Sequence, residues 1–395
     1  MTHTVTITGY NSDGEGVSRL DDGRVVFIRG AARGDELEVE LIQELSKIAR
    51  ATIVRVLTAS PYRIEPDCPV YPECGGCDYR HIAYEEELYA KLSCVNDALR
   101  RIGGLSVQVS EILRTGQING YRNKVTLHSG ETSSGRSLGF YKARSRDVVP
   151  IEHCHLLKDD LNAAIKSLSM HKLMPESEVT LRSGRNGVSR SFGKDSSFSG
   201  NGEGSPLLEE ELDGLEFRIE GFFQVNSEAA VVLFQKAREY AALTKDGTLL
   251  DLYCGVGALT LFVGRDAGFA LGIEQNADAV SIARENALRN GFSHIDFVSA
   301  DAADWSAETS DLTTDAAEPD CVIVDPPRKG LSTGAVSKIL DLSPKRVVYI
   351  SCNPATLARD LKALHGYGVR DICAVDMFPR TANIECCCLL ERELR

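Results

Sequence analysis

Cys352 is the residue best placed for covalent chemistry. It follows an apolar run, Val347 to Ile350, that predicts a buried strand, and Pro354 cannot continue a sheet ladder, so the chain must turn there. Cys352 then stands at the carboxyl end of a predicted parallel strand, where open α/β sheets bind ligands. A thiolate at that edge is a candidate nucleophile. The alternative is a small buried hydrophobe, since free cysteine is often fully buried.

Glu385 is the candidate general base. It interrupts an otherwise apolar strand near the end of the chain. Burial raises the pKa of a carboxylate, and a base nearer neutrality suits proton abstraction from carbon. The alternative is a structural glutamate paired with Arg380 or Arg392.

A third group of residues has the chemistry of a metal site. Cys68, Cys74 and Cys77 are spaced by five and then two residues, and Gly75-Gly76 lets the backbone wrap tightly. Such a turn-rich run buries little apolar surface, and its thiolates suit zinc or an iron–sulfur cluster.

Either metal centre needs a fourth ligand from elsewhere in the chain. Cys154 is the best candidate, and His153 and His155 are its rivals. The spacing differs from that of radical enzymes that cleave S-adenosylmethionine. Three unrelated thiols are the remaining alternative.

A strand running into a glycine turn predicts a nucleoside site. The strand ends near Leu252, Gly255 and Gly257 follow, and Glu274 ends the next strand. The backbone can approach a ligand at the glycines, and the carboxylate can accept ribose hydroxyls. The spacing also fits an NAD site. The turn has only two glycines instead of the three of a dinucleotide-binding turn, however, which disfavours binding of a pyrophosphate.

Two further acids follow strand ends. Asp301 comes after a predicted third strand and is placed to meet an adenine amino group. Asp325 ends a fourth strand, and Pro326-Pro327 would fix a stiff shelf beside it. A plain proline turn is the alternative for the second of these.

The elements that must position these residues form separate units. Short strands between Gly and Asp turns over residues 1–58 predict a five-stranded barrel of the OB type. Beyond Gly221 strands alternate with helices, which predicts a mostly parallel sheet. Between them, residues 114–146 carry seven basic residues and one acid, with aromatics interleaved, a pattern that suits single-stranded RNA.

Bulk properties narrow the class of protein. The 395 residues carry a net charge of −13, which argues against indiscriminate nucleic-acid binding. Twelve cysteines without an export signal indicate reduced thiols in a cytoplasmic protein. No stretch of about 18 apolar residues occurs, so no membrane association is expected.

Taken together, these motifs resemble the RNA uracil-5-methyltransferases, iron–sulfur enzymes that methylate uridine in ribosomal or transfer RNA. The resemblance covers nearly the whole chain. It implies an N-terminal TRAM domain of OB type (1–58), a central α+β iron–sulfur and RNA-binding domain (59–83 and 113–220), and an α/β Rossmann-like methyltransferase domain (84–112 and 221–395).

The resemblance also implies roles for individual residues. Cys352, in Ser-Cys-Asn-Pro, matches the nucleophile that adds to the pyrimidine ring, and Glu385 matches the base. Residues matching the S-adenosyl-L-methionine site are Gln224, Tyr253, Glu274 and Asp325. The cysteines matching the [4Fe–4S] ligands are Cys68, Cys74, Cys77 and Cys154. Two positions depart from the family: Arg380 replaces a frequent His, and Ala258 a frequent Asn.

We therefore expect a monomeric enzyme that methylates C5 of a uridine, in ribosomal RNA rather than transfer RNA. An RNA cytosine-5-methyltransferase is the first alternative, but those enzymes usually place a cysteine where Arg328 stands. The second is a catalytically idle, cluster-bearing RNA-binding protein, in which Cys352 and Glu385 would have no task.

Overall fold

The computed structural model describes residues 2–132, 135–168, 178–193, 207–305 and 319–393. No helix within these ranges is long and apolar enough to cross a membrane. The described chain folds into a small N-terminal barrel, a central five-stranded sheet and a large C-terminal α/β sheet.

Six strands form the N-terminal barrel. They are β1 (Thr2–Thr6), β2 (Gly9–Tyr10), β3 (Gly16–Arg19), β4 (Val25–Ile28), β5 (Glu36–Glu44) and β6 (Ile48–Thr58), in the order β1-β5-β6-β4-β3-β2. Strands β1 and β2 lie at opposite edges of the sheet, yet only Ile7 and Thr8 separate them. The sequence predicted five strands; the structure has six because the first strand is interrupted, with β1 paired to β5 and β2 paired to β3.

A long helix follows the barrel. Helix α1 (Tyr84–Ala98) continues as a π-helical turn, Leu99–Gly103, and Gly104 ends it with a left-handed φ of 66°. Val95 and Leu99 are buried in a cluster that also holds residues of the C-terminal sheet. The short strand β7 (Ile112–Leu113) then joins the edge of that sheet.

The central sheet has the order β10-β9-β8-β11-β12. Its elements are β8 (Lys124–Thr132), β9 (Gly135–Tyr141), β10 (Val148–Pro150), α2 (Asp159–Lys166), β11 (Glu178–Gly184) and β12 (Gly187–Phe192). Helix α2 buries Leu161 and Ile165 against Leu127, Val179 and Leu181 of this sheet.

A hairpin, β13 (Glu209–Leu212) and β14 (Leu215–Arg218), precedes the C-terminal helices and strands. Leu212 and Phe217 are buried in the same cluster as Leu233 and Phe234 of the following helix. The hairpin therefore packs with the C-terminal sheet, although the boundary expected from the sequence lies after it, at 220.

The C-terminal sheet has the order β17-β16-β15-β18-β19-β21-β20-β7, in which only β21 is antiparallel. Its elements are α3 (Ser227–Ala241), β15 (Thr248–Leu252), α4 (Ala258–Gly264), β16 (Phe269–Glu274), α5 (Ala277–Arg289), β17 (Ile295–Ser299), β18 (Cys321–Val324), α6 (Thr333–Leu342), β19 (Arg346–Ser351), α7 (Pro354–Ala363), β20 (Tyr367–Val375) and β21 (Glu385–Arg392). Two buried apolar clusters fill its two faces. The order reverses between β15 and β18, and such a switch point opens a crevice at the carboxyl ends of the strands.

Candidate active site

Strand register gathers the predicted site residues at one edge of the C-terminal sheet. Leu252 pairs with both Ile273 and Val324, so Tyr253, Glu274 and Asp325 follow at the same level. In the antiparallel pair β19–β21, Ser351 lies opposite Cys386. Glu385, which begins β21, therefore lies beside Cys352, which follows β19.

Cys352 is half-buried and directly precedes the N-cap of α7. The side chain of Asn353 accepts a hydrogen bond from the Ala355 N–H, and Pro354 occupies the first helical turn. Burial and the nearby Glu385 carboxylate raise the pKa of Cys352 to about 11, and Arg328 opposes this shift. The thiolate that the sequence suggests as nucleophile is therefore disfavoured in the free protein.

Glu385 is 5% exposed. Burial raises its pKa well above the usual range, and the neighbouring Asp325 adds to this while Arg328 opposes it. Burial also raises the pKa of Asp325 to about 7. Two acids and one thiol thus share a small region in which negative charge is unfavourable, a setting suited to a base that works near neutral pH.

Arg328 and Asn353 hold the segments around Cys352 and Glu385 in place through hydrogen bonds. Neither of these roles was predicted from the sequence. The Arg328 guanidinium donates to Asn383 Oδ1 at 2.8 Å, two residues before Glu385. The backbone carbonyl oxygen of Arg328 accepts a hydrogen bond at 3.1 Å from Nδ2 of Asn353, the residue that follows Cys352. Asn before Pro354 was a recognisable N-cap signal; nothing in the sequence indicated the bond to Asn383.

The glycine turn after β15 is tightly packed against neighbouring side chains. Gly257 has φ 83°, and a Cβ there would lie 2.8 Å from the Phe297 ring. Glu274 is half-buried, and its carboxylate accepts the N–H groups of Gly255 at 3.2 Å and Asn276 at 2.8 Å. Those bonds aim the carboxylate across the turn.

Tyr253 and Asp301 complete this side of the crevice. Tyr253 is half-buried and has φ 91°, which is strained for a residue with a side chain. Asp301 is exposed, and its carboxylate accepts the Ala303 N–H at 2.8 Å. It therefore caps its own turn, and one of its oxygens is occupied locally.

Gln224 lies in a segment held from two sides. Its carbonyl oxygen accepts from Asn123 Nδ2 at 3.1 Å, which ties it to the central sheet. Asn226 caps α3 and donates to the Met377 carbonyl at 3.1 Å, which ties the segment to the loop before Glu385. Phe222, two residues before Gln224, is 73% exposed.

The four cysteines singled out in the sequence line one cavity of about 450 Å³, together with His153 and His155. Arg80 Nε donates to Cys77 Sγ, and the Gly76 N–H donates to Cys74 Sγ, each at 3.4 Å. A glycine is required at position 75 for the tight backbone turn around the cavity, because a Cβ there would lie 2.9 Å from the Tyr141 carbonyl oxygen.

The surroundings of these cysteines favour the neutral thiol over the thiolate. Burial raises the pKa of Cys74, of Cys154 and, to about 12, of Cys77, and the other thiolates add to the shift. Within the described residues, no three His, Cys, Asp or Glu side chains converge on one point as a lone metal ion would need. A cluster makes a different demand, since each of its four cysteines binds a different iron.

Comparison with known proteins places the chain in a family. The sequence model of the tRNA (uracil-5-)-methyltransferase family matches residues 214–393, and that of the TRAM domain matches residues 1–54. An uncharacterized RNA methyltransferase of Bacillus cereus is 32% identical over 98% of this chain and 96% of its own. One from Gloeobacter violaceus is 34% identical over 99% and 97%.

A solved structure has the same architecture throughout. It is the Pyrococcus abyssi tRNA (uracil-54, C5)-methyltransferase in complex with S-adenosyl-L-homocysteine, which is 26% identical. The match covers 99% of this chain and all of that one, with a TM-score of 0.75. The methyltransferase fold and the TRAM domain predicted from the sequence are thereby confirmed. This chain is an RNA methyltransferase and belongs to the tRNA (uracil-5-)-methyltransferase family.

Proposed function

We propose that this enzyme transfers a methyl group from S-adenosyl-L-methionine to C5 of a uridine in structured RNA, through a covalent bond between Cys352 and C6. The observation that carries the proposal is the β19–β21 register, which sets Glu385 beside Cys352. The glycine turn and Glu274 lie at the same sheet edge. The Pyrococcus relative binds S-adenosyl-L-homocysteine, the product of such a transfer.

The bonds made and broken are as follows. The Cys352 thiolate adds to C6, and the electron pair of the C5=C6 bond shifts into the ring carbonyl. C5 then takes the methyl group, whose bond to the sulfonium breaks. The Glu385 carboxylate removes the C5 proton, C5=C6 re-forms and the thiolate leaves. Covalent catalysis of this kind replaces one difficult step with several easier ones.

The surrounding residues are proposed to orient the reactants. Asp325 and Gln224 would hold the uracil base and the methyl donor in near-attack geometry. Tyr253, Glu274 and Asp301 would hold the nucleoside part of the methyl donor. Near-attack geometry of this kind accounts for much of enzymatic rate enhancement. The uridine must leave any stack, at about a few kcal/mol.

RNA would approach across the central domain, but with less free positive charge than the sequence indicated. Lys142 lies 2.8 Å from Glu73, Arg144 lies 2.7 Å from Glu15, and Arg114 lies 2.7 Å from Glu85. Arg122 and Lys124 instead line the cysteine cavity. Recognition of RNA shape at a few sites fits this surface better than a continuous cationic strip.

Cys68, Cys74, Cys77 and Cys154 are proposed to hold a [4Fe–4S] cluster. The four thiols share one cavity, and the buried Arg80 guanidinium offsets part of their negative charge. Bound there, the cluster would cross-link residues 68–79, which we call the cysteine segment, to Cys154. Iron and sulfide analysis of protein purified without oxygen tests this; zinc with no sulfide would contradict it.

Ribosomal RNA is the substrate proposed from the sequence, and transfer RNA is the second candidate because the family and the Pyrococcus relative are named for it. Mass spectrometry of both RNA pools, from cells with and without the protein, should show loss of 5-methyluridine in one of them. Loss of 5-methylcytidine instead would support the cytosine-5 alternative. A cytoplasmic monomer stays our expectation.

The first prediction tests the covalent step. Glu385→Gln should trap a covalent RNA–protein adduct, because the C5 proton can no longer be removed. Cys352→Ala should form no adduct and lose methylation while still binding S-adenosyl-L-methionine. A denaturing gel with labelled RNA reads the adduct, and calorimetry reads the binding. Full methylation by Cys352→Ala would remove the thiolate from the mechanism.

A further inference from the structure

The loop that delivers Glu385 is anchored by buried charges on a distant helix. Residues 376–384 join β20 to β21. Lys91 of α1 donates from Nζ to Asp376 Oδ1 at 2.6 Å, to Glu87 Oε1 at 2.8 Å and to the Phe378 carbonyl at 3.1 Å. The side chains of Glu87, Lys91 and Asp376 are fully buried. We call these three residues the loop triad.

The loop triad also fixes the backbone of the loop. Glu87 Oε1 accepts the Arg380 N–H at 2.7 Å. Arg380 has φ 70°, a conformation that disfavours a side chain and persists only where its surroundings impose it. Tyr84, about two turns before Lys91 on α1, donates to Asp376 Oδ2 at 2.6 Å.

The opposite side of the loop is held by the cysteine segment. The N–H groups of Asp78 and Tyr79 lie 2.9 Å and 3.2 Å from the Arg380 carbonyl oxygen. Asp78 Oδ2 in turn accepts the Ala382 N–H at 2.9 Å. The backbone N–H and the backbone carbonyl oxygen of Arg380, five residues before Glu385, are thus both hydrogen-bonded.

Stability alone does not explain the loop triad. Taking charges out of water is expensive, and well-packed apolar residues often stabilise a core as well or better. What buried ion pairs supply is a fixed geometry. Here Lys91 and Glu87 contact three positions of the loop: the Asp376 carboxylate, the Phe378 carbonyl oxygen and the Arg380 N–H.

We infer that Glu87, Lys91 and Asp376 are positioning residues for the general base, an inference that rests on the proposed function. They touch no reactant. By holding the loop, they set where the Glu385 carboxylate meets the C5 proton. Disturbing them should slow release of the methylated adduct and leave its formation by Cys352 largely unchanged.

Glu86 offers a matched control one residue away. It is 3% exposed, but it faces the barrel, where it pairs with Arg33 at 2.7 Å and accepts from Tyr10. Glu86→Gln and Glu87→Gln each neutralise one buried carboxylate on the same turn of α1. Only Glu87→Gln changes a carboxylate that contacts the loop 376–384.

The experiment is single-turnover methylation of total RNA from cells that lack the protein, with adduct followed on denaturing gels. Glu87→Gln should release its adduct about tenfold to a hundredfold more slowly than wild type, as a displaced catalytic group would. Glu86→Gln should release it at the wild-type rate. Adduct formation should stay within about twofold in both, since general-base assistance acts only in the later step.

The outcomes separate this inference from the proposed function. If Glu385→Gln traps adduct and Glu87→Gln behaves like Glu86→Gln, the loop triad has only a structural role and the inference fails alone. If Glu385→Gln traps none, the covalent mechanism fails and the inference with it. Should Glu87→Gln not fold, Tyr84→Phe decides: loss of one hydrogen bond should slow release about twofold to tenfold, and unchanged release overturns the inference.

Discussion

The Cys352 thiol and the Glu385 carboxyl are both protonated more readily than usual. Burial raises the pKa of Cys352 to about 11 and that of Glu385 well above its ordinary value. The proposed chemistry needs both groups deprotonated. Arg328 is the nearby cation that favours the charged forms of both.

The second prediction concerns pH. Raised pKa values shift the deprotonated, active forms to higher pH, so kcat/KM should rise continuously between about pH 6 and 9, since this ratio reports the free enzyme. An ordinary thiol, with a pKa of about 8.5, would already begin to level off. Initial rates across this range, with buffers of constant ionic strength, provide the measurement. A plateau beginning below about pH 9, as an ordinary thiol would give, would contradict the raised pKa of Cys352.

The positions of single residues were predictable where a strand end pointed to them. Cys352 and Glu274 each follow or end an apolar run, so the parallel-sheet rule placed them at one edge. The Cys352 pKa was not predictable, because it depends on Glu385 and Arg328, which the fold brings in from elsewhere. The same holds for Lys91, whose partner Asp376 is 285 residues away.

At the scale of elements, the glycine turn between β15 and α4 shows how local packing restricts which residues fit. Gly257 has φ 83° and no room for a Cβ beside Phe297 and Ala283. Gly255 also has positive φ, 55°, but a Cβ there would meet nothing within 4 Å. The two glycines therefore form a matched pair in which only one is sterically enclosed.

The third prediction compares them. Gly257→Ala should combine backbone strain of about 1–2 kcal/mol with overpacking of about 1–3 kcal/mol against Phe297. Gly255→Ala should show the strain alone. Urea unfolding gives the free energy of unfolding, and calorimetry gives S-adenosyl-L-methionine affinity. Equal loss in the two variants would mean that the Phe297 contact does not limit the turn.

Element boundaries were predictable where the local pattern was decisive. The alternating pattern of strands and helices beyond Gly221 marked the parallel sheet. The hairpin Glu209–Arg218 was assigned elsewhere because strands alone do not reveal their partner. Packing of Leu212 and Phe217 with residues of α3 is among the contacts that attach it to the C-terminal sheet.

At the scale of the whole molecule, the barrel is fastened to the cysteine segment and to α1 by arginines. Arg29 Nη2 donates to the carbonyl oxygens of Cys74 at 2.7 Å and Cys77 at 3.2 Å. Arg33 pairs with Glu86. The barrel therefore stabilises the same segment that carries three of the proposed cluster ligands and grips the Glu385 loop.

The last prediction tests that dependence between domains. Arg29→Met removes the donor to two carbonyl oxygens of the cysteine segment, and an unsatisfied buried polar group costs about 1–3 kcal/mol. Arg19→Met is the control, because Arg19 donates only to Gly23 O within the barrel at 3.1 Å and is exposed. Arg29→Met should unfold at lower urea concentration and retain less iron than Arg19→Met after identical oxygen-free purification. Equal iron retention in the two proteins would show that the barrel contributes nothing to holding the cysteines in place, and the barrel would then have to serve RNA binding alone.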